Sequence, residues 1–416
     1  MWEGWGVDEI LYDRMPNFRH LRAFREVAAS GSISQAATRV HLSQPAITQA
    51  LAKLEGQLGA PMFVRSPGGM RVNELGQRFL SRVERALSLV RNGAREALRL
   101  GARRGGRGFS NFDQLATSAQ LRALVAVARA GNFTLAAREA GVSQPSLHRA
   151  ARDLERLSGL ALFIKSAGGI EVTPAAEMLA RSVRLAFAEL AQGFAEIGET
   201  LGVDQGRIVV GTMPLARTFV LPSAINMLME SRPDVRFSVI DGPYDDLLHG
   251  LRHGDIDVLV GALRIPVPID DVVQEELFRD PLAVVGRAGH PLCRQGAIGR
   301  DDLAAYPWVV ARRGTPTRRH FEALFAGVSE PSSIVEASSL VLIRGLLTGS
   351  DRLTLISTHQ IRHEQEMGLL APLPVDSAGT VRPIGTTCRR DWRPTGTQSA
   401  FLDCLRRAGE LATAQP

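Results

Sequence analysis

The residues best placed to do chemistry form two sets, one hundred positions apart. Ser43, Gln44, Pro45, Thr48, Gln49 and Lys53 lie in LSQPAITQALAKLE (42–55). Ser143, Gln144, Pro145, His148, Arg149 and Arg152 lie in VSQPSLHRAARDLE (142–155). In both, Ser is placed to cap a helix and Pro is tolerated in its first turn. Gln and Arg on the first turns of such a helix present paired hydrogen-bonding groups. Those match the edges of adenine and guanine in a DNA major groove. The chemistry is recognition rather than bond making. The same side chains would also serve as ordinary solvated helix surface, and their surroundings must decide.

Enzyme signatures are missing. HEQEM (363–367) begins like H-E-x-x-H, but Met367 stands where the second His should be. There is no G-x-S-x-G, P-loop or G-x-G-x-x-G. Cys293, Cys388 and Cys404 are scattered without a C-x-x-C. That fits reduced thiols in a cytoplasmic protein rather than a zinc site or disulfide framework. No cofactor or metal is expected.

The elements that must position the two sets are themselves repeated. At an offset of 100, residues 21–83 and 121–183 align without a gap, with about a third of the positions identical. Each copy reads as three helices and a hairpin. In the first, Leu21, Phe24, Val27 and Ala28 have helical spacing and Gly31 ends the helix. Ser32 and Gln35 suggest a capping box for a second helix. Small Ala36 and Ala37 let it lie close to the third helix, which Ser43 caps and Gly59 stops. PMFVRSPGGMRV then reads as a hairpin wing. This is a helix-turn-helix with its third helix free to enter a groove.

A long apolar-periodic helix follows each wing. Phe79, Val83, Leu87, Val90, Ala94 and Leu98 mark the first, and Leu179, Val183, Ala186, Leu190, Phe194, Ile197 and Leu201 the second. Such seams suit pairing with another chain, or packing on their own domain. GARRGGRGFS (101–110) reads as a basic tether.

Charge follows the repeat. Residues 1–200 carry a net +8 and residues 201–416 a net −2, which suggests a polyanion partner for the first half only, or Arg-rich composition without a partner. The 416 residues imply several domains. No apolar run approaches the roughly 18 residues of a membrane span. The acidic start, MWEGWGVDEILYDRM, lacks a signal-peptide core and reads as a short arm, or as lying before a true start at Met15.

The segment LRAFREVAASGSISQAATRVHLSQPAITQALAKLEGQLGAPMFVRS resembles the winged helix-turn-helix of LysR-type transcriptional regulators, on its A-A, S-Q-P, L-E, L-G and P-x-F-x-R features. The resemblance implies DNA contacts from Gln44, Pro45, Thr48 and Arg65, the wing arginine, with Gln49 replacing the family Arg. In copy two it implies Gln144, Pro145 and Arg149, with His148 for Ser and Lys165 for the wing Arg. The Thr-x-x-Gly closing the wing is Asn73 to Gly76 in one copy and Thr173 to Ala176 in the other. Paired linker helices, and so a homodimer or homotetramer, are also implied.

From Gly206 the pattern changes to strand–helix alternation: RIVVGT, VRFSVID and DIDVLVGAL read as strands, with helices at 214–230 and 244–252 between them. LAVVGR, WVVAR, IVEA and LTLIS are further strands. This half resembles the family's effector-binding domain, of type 2 periplasmic-binding-protein fold. The expected chain is multidomain: two all-α winged helix-turn-helix domains, then an α/β two-lobed domain. Its parts are 16–75 (first head), 76–110 (linker helix and tether), 112–175 (second head), 176–203 (dimerisation helix) and 206–410. Within the last, lobe I takes 206–265 and 373–410, and lobe II takes 266–372.

Ligands in such folds sit beyond the carboxyl ends of strands. Thr212 with Met213, Thr315 with Thr317, and Ser338 with Ser339 occupy three such junctions, either as effector contacts or as ordinary caps. Arg217 and Arg264 nearby would suit a carboxylate. The sequence therefore points to a cytoplasmic, ligand-responsive DNA-binding regulator. Its partners would be double-stranded DNA and a small effector, a sugar or an aromatic or carboxylic acid, with no membrane. The alternatives are a DNA-tethered enzyme acting on a small acid, or a DNA-binding protein with a vestigial cleft.

Overall fold

The computed structural model describes residues 15–67, 69–101, 108–166, 169–203, 206–375 and 378–414. The acidic arm, the centre of the tether and the tips of both wings lie outside them. The chain divides into two compact units, one built on residues up to 206 with 253–255, and one on 207–252 with the residues from 256 on.

In the first unit each copy forms as its local signals direct. Copy one has α1 (Phe18–Ser30), α2 (Ile33–Arg39) and α3 (Gln44–Leu58), then β1 (Phe63–Ser66) and β2 (Gly69–Val72) as an antiparallel wing. The long α4 (Glu74–Leu100) follows. A one-turn α5 (Phe112–Leu115) leads into copy two: α6 (Ser118–Ala130), α7 (Phe133–Glu139), α8 (Gln144–Ser158), β3 (Phe163–Ser166), β4 (Gly169–Val172) and the long α9 (Pro174–Leu201). His41, in the turn between α2 and α3, takes a left-handed φ of 56°. The wing is pinned to the end of α1, since Met70 N–H donates to Gly31 O at 2.8 Å. A Cβ on Gly69 would come within 2.4 Å of that carbonyl. Copy two repeats the contact, from Ile170 N–H to Gly131 O at 3.0 Å.

The two apolar stripes, expected to pair with another chain or to pack on their own domain, meet within one chain: α4 and α9 pack against each other in one continuous core with both heads. An amphipathic stripe requires a cover but does not say whose. The pair is antiparallel, with Arg78 near Thr200, Arg82 beside Gln192 and Gly93 against Ser182.

The second unit holds two five-stranded sheets. One runs in the order β6 (Arg236–Asp241), β5 (Arg207–Thr212), β7 (Val258–Ala262), β14 (Arg382–Arg389), β8 (Val272–Asp280). The other runs β11 (Ile334–Glu336), β10 (Trp308–Val310), β12 (Leu353–Ser357), β9 (Leu282–Arg287), β13 (Leu370–Pro372). The helices are α10 (Val220–Ser231), α11 (Tyr244–His253), α12 (Arg300–Ala304), α13 (Pro316–Leu324), α14 (Leu340–Thr348), α15 (Arg362–Glu366) and α16 (Gly396–Ala414). The helix expected from Pro214 is a 3₁₀ turn over Pro214–Arg217, and α10 starts after it.

The expected start of lobe II at 266 is also corrected. β8 pairs antiparallel with β14 in the first sheet, so the chain crosses between lobes after Asp280. That pairing joins residues about a hundred positions apart, which local pattern does not reveal. At the crossing the buried Asp280 accepts from Arg382 Nη2 at 2.7 Å and from the Ser357 hydroxyl.

Candidate nucleic-acid interface and effector cleft

The two recognition helices are α3 and α8. Ser43 and Ser143 cap them, accepting from the N–H groups of Ala46 and Ser146. Both are therefore spoken for as caps, and any DNA contact is additional. Gln44, Pro45, Thr48, Gln49 and Lys53 are exposed on α3, and Gln144, Pro145, His148 and Arg149 on α8. Among the described residues Gln49, Gln144 and Arg149 make no hydrogen bond or ion pair, which leaves their polar groups for a partner. Gln44 is loosely held, donating from Nε2 to Ser34 Oγ at 3.3 Å, and Thr48 bonds back to Gln44 O. Arg65 and Lys165 stand exposed on equivalent wing strands.

Copy two is the more constrained. His148 lies edge-on to the Phe133 ring, centroids 4.9 Å apart. Arg152 also covers that ring and pairs with Glu155. That pairing gives the Arg152 side chain a partner within the protein.

The sequence reading missed the role of the repeated Leu-Glu. Glu155 accepts from the N–H groups of Leu162 and Phe163 at 2.9 and 3.1 Å, and Glu55 from Met62 at 2.7 Å. Each Glu ties the entry of its wing to its recognition helix, which fixes the wing relative to that helix. Its recurrence in both copies was the available signal. Asn73 and Thr173 prove interchangeable: each caps its long helix and also donates to the wing entry, at Pro61 O and Ala161 O.

In the second unit the junction hydroxyls behave largely as caps. Thr315 accepts from Arg318 N–H, and Ser339 from Leu342 N–H. Thr212 is fully buried and bonds to Met213 O, beside a half-buried Met213 side chain. The Thr317 hydroxyl accepts from Arg382 at 2.6 Å, tying α13 to the interlobe crossing. Ser338 is exposed. Arg217 pairs with Asp241 at 3.0 Å.

Arg264 differs from these. Its guanidinium lies over the Tyr244 ring at 4.4 Å. Its Nη1 and the Tyr244 hydroxyl are both buried with no hydrogen-bond partner among the described residues. Burial, with Arg319 of α13 in the other lobe adding repulsion, holds Arg264 below the ordinary arginine range. Burial pushes the Tyr244 hydroxyl up. A guanidinium and a phenol side chain stacked on each other thus each keep a buried polar atom with no partner among the described residues. The sequence reading had Arg264 but not Tyr244.

Two winged helix-turn-helix folds followed in the chain by a two-lobed α/β unit define a class of regulator, and comparison with known proteins agrees. The family described as "Bacterial regulatory helix-turn-helix protein, lysR family" matches at residues 18–77 and again at 118–177. "LysR substrate binding domain" matches residues 202–410. The chain belongs to the LysR family, and it is a ligand-responsive DNA-binding transcriptional regulator. It is similar to the HTH-type transcriptional regulator GalR of Pseudomonas putida, 33% identical over 94% of this chain and 97% of the relative. That span can omit neither head. PcaQ of Agrobacterium fabrum is 29% identical over 72% of this chain and 97% of its own. Among solved structures, full-length OxyR of Pseudomonas aeruginosa shares the fold at a TM-score of 0.52, with 22% identity over 70% of this chain and 94% of that one.

Proposed function

We propose that this regulator responds to a small carboxylate, bound between the lobes with its anionic group on Arg264 and Tyr244. The observation that carries the reading is the pair of buried, unpartnered polar atoms, Arg264 Nη1 and Tyr244 Oη. A buried guanidinium nitrogen and phenol hydroxyl with no hydrogen-bond partner among the described residues are costly, and an incoming carboxylate would satisfy both with charge-assisted hydrogen bonds. Arg319, from the opposite lobe, would then be attracted to the anion instead of repelled by Arg264. The ligand would thus favour one lobe arrangement over another, the requirement for any shift in operator binding. A neutral sugar would satisfy the hydrogen bonds but not the charge.

The DNA-reading residues in this proposal are Gln44, Thr48, Gln49 and Arg65 in copy one, and Gln144, His148, Arg149 and Lys165 in copy two. Thr212, Thr315 and Ser339 shape the cleft. The protein acts in the cytoplasm by binding and not by catalysis. Homodimer or homotetramer assembly is part of the proposal. With α4 and α9 already paired, it must use another surface, and light scattering of the full chain tests it.

The test of the effector class is a thermal-shift panel of aromatic and aliphatic carboxylates beside neutral sugars. Carboxylates should raise the melting temperature of the wild type and not of Arg264→Gln. A stabilising neutral sugar that still acts on Arg264→Gln would overturn the assignment.

A further inference from the structure

We propose that one chain is a closed DNA-reading unit: its two unlike heads are locked together by a seam that only copy one with copy two completes, so it takes two unlike half-sites in a fixed order. The seam has the geometry of a two-fold interface folded into one chain. Gly93 meets Ser182 and Leu179; at the positions one hundred away, Gly193 meets Arg82 and Phe79. The heads reciprocate as well. Arg22 donates to Asp113 O, and Arg122 donates to Met15 O at 2.9 Å. Across the helices residue i touches j, and the equivalent of j touches the equivalent of i, which is the signature of an isologous contact; the head contacts follow it to within two positions, Met15 corresponding to residue 115 and not to Asp113.

The two-fold is broken where charge enters. Arg82, 4% exposed, donates to Glu189 and Gln192, each at 3.0 Å, and to Glu196. Arg85 reaches the other oxygen of Glu189 at 3.0 Å. One hundred positions away, Arg82 and Arg85 become Ser182 and Leu185, and Glu189 corresponds to Leu89. The cations thus belong to copy one alone, and their main buried acceptor, 6% exposed, to copy two alone. A seam between two second copies would bury Glu189 opposite Ser182 and Leu185 with no cation. A seam between two first copies would keep Asn92 and Glu96 in the places of Gln192 and Glu196 but set Arg82 and Arg85 against Leu89, so the more buried acceptor is lost. Leaving a buried charge unpaired is strongly unfavourable, whereas the complete pair is close to neutral, so the ions select the partner rather than add strength. The head surfaces have diverged too, with Thr48 and Gln49 opposite His148 and Arg149.

The closed seam is tested by cross-linking, and this arm does not rest on the reading of the heads as DNA-binding. Arg78→Cys and Thr200→Cys place thiols at two exposed positions facing each other across the helices. Cys293, Cys388 and Cys404 are replaced by Ala. A short bis-maleimide should yield a product migrating as a single chain. A covalent dimer as the main product would overturn the proposal.

The second arm does rest on the proposed reading. Gln44→Ala/Gln49→Ala disables one head and Gln144→Ala/Arg149→Ala the other, each expected to weaken operator binding by roughly 5- to 100-fold. A mixture of the two variants should bind no better than either alone. Recovery of wild-type affinity would show intact seams formed between chains and sink the idea. Should either variant alone bind like the wild type, the base-reading residues are wrong, and the cross-link decides the seam on its own.

Discussion

Arg82 shows how one side chain can decide a partner. It is almost fully buried yet saturated by Glu189, Gln192 and Glu196. Arg82→Ala should destabilise the first unit by about 3 kcal/mol, the low end of the cost of breaking a buried pair, because Arg85 still faces Glu189. Urea midpoints measure this. Arg82→Leu/Glu189→Leu should recover most of the loss, because an apolar pair fills the same space. A double variant as unstable as Arg82→Ala would show that the helix contact needs the charges for strength. At the same scale, histidine sets a pH dependence. Burial holds His20 and His359 below their ordinary value of 6.5, with Lys53 and Arg362 adding to it. Below pH 6.5 the unfolded chain takes up protons that the folded chain refuses. Stability should therefore fall as pH drops from 6.5 toward the folded values, and be insensitive to these groups above it. Melting curves between pH 8 and 5 should show the decline, and His359→Gln should reduce it for the second unit, where His320, also held low by burial, contributes as well.

Among the elements, the crossing of α4 and α9 is the least forgiving. A Cβ on Gly93 would lie 2.3 Å from that of Ser182, whereas one on Gly56, in α3, would meet nothing within 4 Å. Gly93→Ala should thus destabilise the heads despite its gain in helix propensity, while Gly56→Ala should stabilise by about 1 kcal/mol. Equal effects would place the helices farther apart. The contrast also explains what the sequence disclosed. The heads were legible because their signals are local: serine caps at 43 and 143, glycine stops at 59 and 159, Ala36 and Ala37 at the close approach. The cover over Phe79 and Leu179 was not, since periodicity names a buried face and leaves its neighbour open. The opposite changes at 82 and 189 were in view, but they signify pairing only once the antiparallel register is known. Likewise β8 and β14 find each other across the whole of the second lobe, and Tyr244 meets Arg264 only through the β6–α11 and β7 turns.

At the scale of the whole molecule, the decisive feature is that α4's partner helix is supplied by its own chain. A regulator whose heads pair between subunits must first associate, and at scarce copy number its occupancy of a double site varies with more than the first power of protein concentration. Covalent connection replaces that step by an effective local concentration, in the millimolar range for short flexible connections, that dilution cannot lower. Binding of the full chain to a two-half-site operator should accordingly follow a hyperbola with a Hill slope near one down to picomolar protein, read by fluorescence anisotropy on labelled DNA. A slope near two at the lowest concentrations would reveal an obligatory association. If each chain is a closed unit as proposed, occupancy of a two-half-site operator is fixed by the number of molecules present, whatever further assembly another surface supports.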